Sequence, residues 1–455
     1  MFLLRRFSTR RCWAFGGPLA GGAIALAAAF VLAAPAVLAA PSAVSASSEL
    51  ARLLEGGPGF AIAGERLNIP LLRRFYARHG FEPVWTSRPA QVTSLTNAVL
   101  HAGDHGLTPE LFHGSLLMSP TLPPLYRDLV LSDAFLSYAD ALARGALPVE
   151  RRPDDEALTP QPIDVAAVLD KAAASSDPAG VIEALAPTTP TYRLLRQTLR
   201  TFRDNGTSPR HLREIEVNLE RERWMPRPLP PDRVVVNVAD ERVTFYRNDQ
   251  PAFSAKVIVG QDELRNQSPE FQATIDGILF NPPWSIPPDI AANEILPKAA
   301  HDPNYLARHN MVMLPNGILQ QRAGPNSGLG QLMLYMDNRF DVYLHDTPSK
   351  SLFGRDDRRI SHGCIRVEQL ADLAALLMRE PVQAIDQAIA TGNTTRANLP
   401  QAVPVFVTYE TAFADADGKL QFRPDIYGRD AEIWDRLDPE RRSAAEETRS
   451  GQRGG

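Results

Sequence analysis

The chain has 455 residues, 44% hydrophobic and 22% charged, with a formal net charge of −5 and a pI near 6.0. At about 100–200 residues per domain, that length predicts two or three domains with sizeable cores. The mildly acidic balance offers no footprint for a polyanion, so nucleic acid is excluded as an expected partner.

Arg5, Arg6, Arg10 and Arg11 precede a charge-free run, GGPLAGGAIALAAAFVLAAPAVLAAPSA. A positive flank, an apolar run and small residues from Ala39 to Ala46 predict a secretory signal over residues 1–40. Cleavage after Ala39, Ala40 or Ala46 fits equally, and the run is also long enough to stay as an uncleaved membrane anchor. Thr9-Arg10-Arg11-Cys12-Trp13 is only a loose echo of a twin-arginine signal. Either way the body of the protein is expected outside the cytoplasm.

Residues 49–225 read as a helical domain. LNIPLLRRFYARHGFEPVW places Leu72, Phe75, Tyr76 and His79 near one face and ends around Gly80. Leu95, Val99 and Leu100 carry the next pattern, and LYRDLVLSDAFLSYADALARGAL is the clearest helix, ending at Gly145. A Pro- and Asp-rich connector from Pro148 to Pro162 leads to TYRLLRQTLRTFR and HLREIEVNLERERWMP. The Arg-rich helices are expected to be solvated faces. His79, His101, His105 and His113 fall on different helices and turns without zinc spacing, so they are expected at the surface or at caps.

After RPLPPD the period changes to that of strands, defining a mainly β domain over 230–428. RVVVNVAD, ERVTFYRN, AFSAKVIVG, QATIDGILF, GILQQRAG, QLMLYMD, FDVYLHDT and VPVFVTYETAF are its expected strands. A Pro-rich, partly helical insert at about 281–310 has the character of a lid or binding loop. The charged, apolar-poor tail over 429–455 is expected to be partly disordered.

The chemistry concentrates in ISHGCIRV. Cys364 and Cys12 are the two cysteines, and removal of the signal would leave Cys364 as a single thiol in an oxidising compartment. VEQLADLAALLMREP reads as a helix with Leu370, Leu373, Ala374 and Leu377 on one stripe, which would put Cys364 ahead of a helix N-terminus. There the dipole and Arg366 would favour the thiolate. The alternative is a buried structural cysteine, but Ser361, His362, Gly363 and Arg366 make poor core neighbours. In FDVYLHDT the alternation sets Val342 and Leu344 on one face and Tyr343 and His345 on the other, so His345 is the candidate base. His362 competes for that role but sits two residues from the nucleophile, where Ser361 and His362 fit better as supporting neighbours. Amides of Gly363 and Cys364 are candidate oxyanion donors. Either Asp346 or a backbone carbonyl could orient His345. His345, His362 and Cys364 are three potential zinc ligands, but nothing completes the set at a familiar spacing, so no metal or other cofactor is expected.

HDTP followed by RRISHGCIRV resembles the signature of the L,D-transpeptidases, bacterial wall enzymes with a YkuD-type catalytic domain. NLERERWMP, VVVNVADERVTFY, VIVG, FNPPWSIPP, NEILPK, LHDT and FRPDIYGRD extend the likeness to their large periplasmic subgroup. FYARHGFEPVW and HAGDHGLTPELF are similar to its helical scaffold. The resemblance implies an α+β multidomain fold, a helical scaffold domain followed by a mainly β catalytic domain with a lid insertion. It implies Cys364 as the acylated nucleophile, His345 as its base, Gly363 and Cys364 amides on the oxyanion, and Arg366 shaping that site. Trp284 would stand in the lid over the acyl site. The implied partners are peptidoglycan stem peptides: a tetrapeptide donor that loses D-alanine and an acceptor amine, joined as a 3→3 cross-link. The implied place is the periplasm, with a tether if the N-terminal segment stays. A carboxypeptidase or endopeptidase on the same fold is the alternative, and a silent wall-binding scaffold a more distant one. Three departures stand out. TLRTFRDNGTSPRHLREIE leaves no room for the wall-binding repeat of larger members, Ser327 replaces the usual Asn of the Gly324–Gly330 turn, and Asp346 follows His345 where many relatives have Gly.

Overall fold

Proline and short polar side chains start most of the long N-terminal helices, as their lost or orphan N–H groups require. These helices are α1 (Ala46–Glu55), α2 (Ile69–Arg78), α3 (Pro89–Leu100), α4 (Pro124–Arg144), α5 (Val165–Ala174), α6 (Pro190–Asp204) and α7 (Pro209–Trp224). Asn68, Asp164 and Thr189 cap α2, α5 and α6 through their side-chain oxygens. The computed structural model of the chain describes residues 45–437 apart from 57–59, 153–155 and 207. The expected export segment over 1–40 lies outside them, and no helix among the described residues is long and apolar enough to cross a membrane.

Leu72, Phe75 and Tyr76 of α2 are buried against α4, which is buried on nearly every face. Gly145 ends α4 at φ +95, and a Cβ there would stand 2.6 Å from both the Glu220 carboxylate and the Trp224 indole. That close approach seats α4 on α7.

The Arg-rich stretch of α7 is not the solvated face its composition suggests. Glu220, Arg221, Glu222 and Arg223 are all buried. Arg223 pairs with Glu220 at 2.9 Å and donates to the His105 carbonyl and the Tyr192 hydroxyl. The other Glu220 oxygen accepts from Leu147 N–H and the Trp224 indole. Partners on neighbouring segments make burial of the Glu220–Arg223 pair tolerable, since an unpaired charge there would be costly. Arg221 is held by Asp430, while its Nε and Nη2 have no hydrogen-bond partner among the described residues. His105 and His113 are likewise buried rather than superficial. His105 lies between Tyr192 and Glu183, and His113 between Glu65 and Asp133. His79 and His101 sit at helix ends, as expected.

The second half forms one nine-stranded mixed sheet. Its strands are β1 (Arg233–Asn237), β2 (Arg242–Arg247), β3 (Gln250–Gly260), β4 (Phe271–Phe280), β5 (Leu332–Met336), β6 (Leu344–His345), β7 (Arg359–Ser361), β8 (Ile365–Val367) and β9 (Thr395–Thr408). Spatial order is β7-β3-β8-β6-β5-β4-β9-β1-β2, and β2 also pairs with β3, so eight strands close on themselves. Closure removes the free edges an open sheet would present. Its interior holds Val234, Val236, Val257, Ile278, Leu334, Leu344, Ile365 and Val405. Helix α8 (Leu370–Met378) lays the stripe Leu370, Leu373, Ala374 and Leu377 on this core, and Arg379 at φ 58 ends it. Helix α9 (Val382–Ala390) follows.

Two boundaries differ from expectation. The insert runs on past 310, because Leu319–Gln321 pairs with Trp284–Ser285 and Met311–Met313 in a separate three-stranded sheet. GILQQRAG therefore belongs to the lid, which has its own small core of Ile286, Ala291, Ile295 and Leu319. At the other end, residues Arg429–Leu437 of the expected tail form a helix, α10, that buries Arg429, Asp430, Ile433 and Leu437. Asp430 receives Arg221 of α7 at 2.5 Å, which ties the order of this segment to the buried charges. Residues 438–455 lie outside the described residues.

Candidate active site

Two very short parallel strands position the chemistry. Leu344 pairs with Ile365 and His345 with Arg366 between β6 and β8. Alternation along both strands sends Val342, Leu344, Ile365 and Val367 into the core, where all four are buried. Tyr343, His345, Cys364 and Arg366 thereby share the opposite face.

Cys364 ends a tight turn and enters β8. The Ser361 hydroxyl donates to the Cys364 carbonyl at 2.6 Å and accepts the Gly363 N–H at 3.2 Å. Gly363 takes φ +107, a conformation side chains disfavour. Its carbonyl accepts from the Ser268 hydroxyl at 2.7 Å. The Gly363 amide, an expected oxyanion donor, is thus already engaged by Ser361. The expected helix N-terminus is also displaced, because β8 intervenes and α8 starts at Leu370. The half-buried thiol faces the Asp341 carbonyl at 3.8 Å. Burial pushes its pKa up, while the Tyr343 amide and the Arg366 charge pull it down without prevailing. The resting group is a thiol, not the thiolate that a helix dipole would favour.

His345 is 3% exposed. Its Nδ1 lies 2.6 Å from the Asp346 carbonyl, so a main-chain oxygen orients the ring and leaves Nε2 as the proton acceptor. Burial first, then the Arg366 charge, lowers its pKa to about 4, against the pull of the Asp346 and Leu329 carbonyls. The imidazole is neutral at neutral pH and competent to take a proton. The Asp346 carboxylate instead binds Gln331 N–H at 3.0 Å and Lys350. Arg366 is mostly buried, burial lowers its pKa, and its Nε has no hydrogen-bond partner among the described residues.

Other candidates occupy the periphery. The His362 ring turns to the lid, with Nε2 2.5 Å from Glu294 Oε1, so the three potential zinc ligands do not converge. Trp284 packs on the lid's small core and over Gly328, where its ring would lie 3.1 Å from an added Cβ. Sequence reasoning missed Asp341, Leu329, Ser268 and Glu294. Asn338 was also missed, although it builds the loop carrying Asp341 by bonding Met336 and Val342 carbonyls and the Phe340 and Val342 amides. The DNRF turn was the one available signal, because Asn favours such side-chain-to-backbone turns.

Two known families match the chain. A Scaffold domain covers residues 70–199, and an L,D-transpeptidase catalytic domain, YkuD, covers residues 231–394. The second span includes the lid, His345 and Cys364. A Haemophilus influenzae protein provisionally named an L,D-transpeptidase is 28% identical over 392 residues, 80% of this chain and 79% of its own length. Among solved structures, the Ldtfm–avibactam carbamoyl enzyme aligns at 12% identity and a TM-score of 0.21, over 39% of this chain and 49% of that one. A Cys-to-Ser mutant of Enterococcus faecium L,D-transpeptidase aligns at 10% identity and 0.20, over 39% and 50%. The chain thus spans about half the length of those two.

Proposed function

Because the chain belongs to the L,D-transpeptidases, with a Scaffold domain ahead of a YkuD-type catalytic domain, we propose that it cross-links peptidoglycan stems through a cysteine acyl-enzyme. The observation that carries this is the shared sheet face of Cys364, His345 and Arg366, set by the His345–Arg366 register. His345 Nε2 accepts the thiol proton as Sγ attacks the carbonyl carbon between diaminopimelate and D-alanine of a tetrapeptide stem. The imidazolium then returns the proton to the departing D-alanine amine, leaving a thioester. A second stem's side-chain amine attacks that thioester, His345 takes its proton, and the 3→3 amide forms as Sγ leaves. The Cys364 amide and the Arg366 charge are suited to the oxyanion, since the Gly363 amide is held by Ser361. A thiol with raised pKa beside a base near 4 makes the ion pair uphill at rest. Activation then waits for a bound donor that displaces water and brings the carbonyl to the sulfur.

This reading places the enzyme in the periplasm, delivered or tethered by residues 1–40. Purified protein incubated with disaccharide-tetrapeptide tests the chemistry by product mass. Dimers lacking one D-alanine are expected. Tripeptides alone would make the enzyme a hydrolase, with water replacing the acceptor amine, and no product would overturn the assignment.

A further inference from the structure

The lid reaches both members of the Cys–His pair, each through one intermediary. On one flank Trp284 covers Gly328, and the next residue, Leu329, presents its carbonyl to His345. On the other, Glu294 holds His362, two residues ahead of the nucleophile. The turn is also tied within itself, through Ser361, and to the catalytic sheet and its loops, by Ser268 on the Gly363 carbonyl, by Gln261 N–H on the Ser361 carbonyl and by the Asp341 carbonyl facing the thiol. His362 is the residue of that turn whose side-chain bond crosses to the lid. Glu294 itself lies on a π-helical turn, Ala291–Ile295, within the run of lid helices from Pro288 to His301. A widened turn of this kind re-aims side chains and recurs near functional sites.

We infer that Glu294 is a positioning residue, whose bond to His362 draws the lid's helical arm onto the nucleophile turn and fixes that turn for acyl transfer. This rests on the transpeptidase reading for its chemistry. The contact itself does not. With the lid latched, the acyl thioester is shielded on the Cys364 side, and incoming water competes less well with the acceptor amine. The two side chains are 33% and 45% exposed. A pair so solvated supports a two- to five-fold effect rather than an all-or-none one.

Two variants of the full chain test this, Glu294→Ala and Glu294→Gln, each checked by thermal melting. Glu294→Ala should lower the ratio of dimers to hydrolysed tripeptides about two- to five-fold and reduce kcat for acylation more than it raises KM. Glu294→Gln keeps an oxygen facing His362 and should recover most of both. Hydrogen–deuterium exchange supplies a readout independent of turnover: Glu294→Ala should speed exchange in 291–295 and in 361–364 together. Unchanged exchange in 361–364, an unchanged product ratio, or a Gln variant as impaired as Ala overturns the latch. Absence of any product from the unmodified enzyme, with the exchange response intact, fails the transpeptidase reading and leaves the latch standing.

Discussion

Two of the places where charged and titratable groups are buried, the Glu220–Arg223 pair of the α7 seam and the active face, are wired in opposite ways. In the seam, Glu220 and Arg223 satisfy each other, and their remaining atoms reach Leu147, Trp224, His105 and Tyr192. On the active face, Arg366 Nε has no hydrogen-bond partner among the described residues, and the thiol lies at a long 3.8 Å from the Asp341 carbonyl. The imidazole is held neutral against an ordinary value near 6.5. Saturated charges specify how helices pack; charges left unsatisfied are poised to answer a substrate.

The largest expected effect falls on the active face. Cys364→Ser should abolish acyl-enzyme formation, a loss above roughly 10⁴-fold, because serine is far too weakly acidic for a base near 4 to deprotonate. Mass spectrometry after incubation with tetrapeptide or a carbapenem reads this, and an undiminished adduct would remove Cys364 from its role. The melt of the variant should barely move. The seam should behave in reverse. Arg223→Ala leaves Glu220 buried without its cation and should cost about 3–5 kcal/mol of stability. Replacing both, as Glu220→Gln with Arg223→Met, should cost less than the single change. Denaturant titration distinguishes these, and equal losses would mean that volume rather than charge pairing matters there.

The active face was far more legible than the seam, for a physical reason. Alternation on a strand is a two-residue rule, so FDVYLHDT and CIRV revealed which side chains share a face. The same local rule missed that Ile365, Arg366 and Val367 form a strand before the helix begins, although two of the three are β-branched. Periodicity describes a helix's own faces and says nothing about what packs against them. The α7 charges therefore looked solvated, while Asp430, Tyr192 and His105, far away in sequence, supply their partners. GILQQRAG read correctly as a strand but was given to the wrong sheet, since a strand pattern carries no address. The carbonyls of Asp346, Leu329 and Asp341 were invisible because every residue has one.

Acid should expose the cost of keeping His345 neutral. Its folded pKa of about 4 lies below the ordinary 6.5, so the unfolded chain binds the extra proton first. The stabilisation is complete above 6.5 and is lost as pH falls toward 4, amounting to about 2 kcal/mol by pH 5. Denaturation curves of the parent and of His345→Asn should converge over that window. Parallel curves would show that the imidazole is not held neutral.

The smallest effect separates electrostatics from packing at Arg366. Its charge lowers both the His345 and the Cys364 pKa, so Arg366→Gln should let both rise. Activity on the acid side requires neutral His345, and the limb of kcat/KM should lie near 4 in the parent. In the variant it should climb, stopping short of 6.5 because burial, the larger cause, remains. The alkaline limb, governed by the thiol, should move up as well. A purely structural Arg366 would reduce kcat/KM by the same factor at every pH and leave both limbs in place. Since burial disfavours the charged guanidinium and its Nε is unpartnered, the neutral variant should melt no lower than the parent. A shifted limb with an unchanged melt would show that the protein keeps this buried charge for its chemistry, the contrast with Arg223 that the seam predicts.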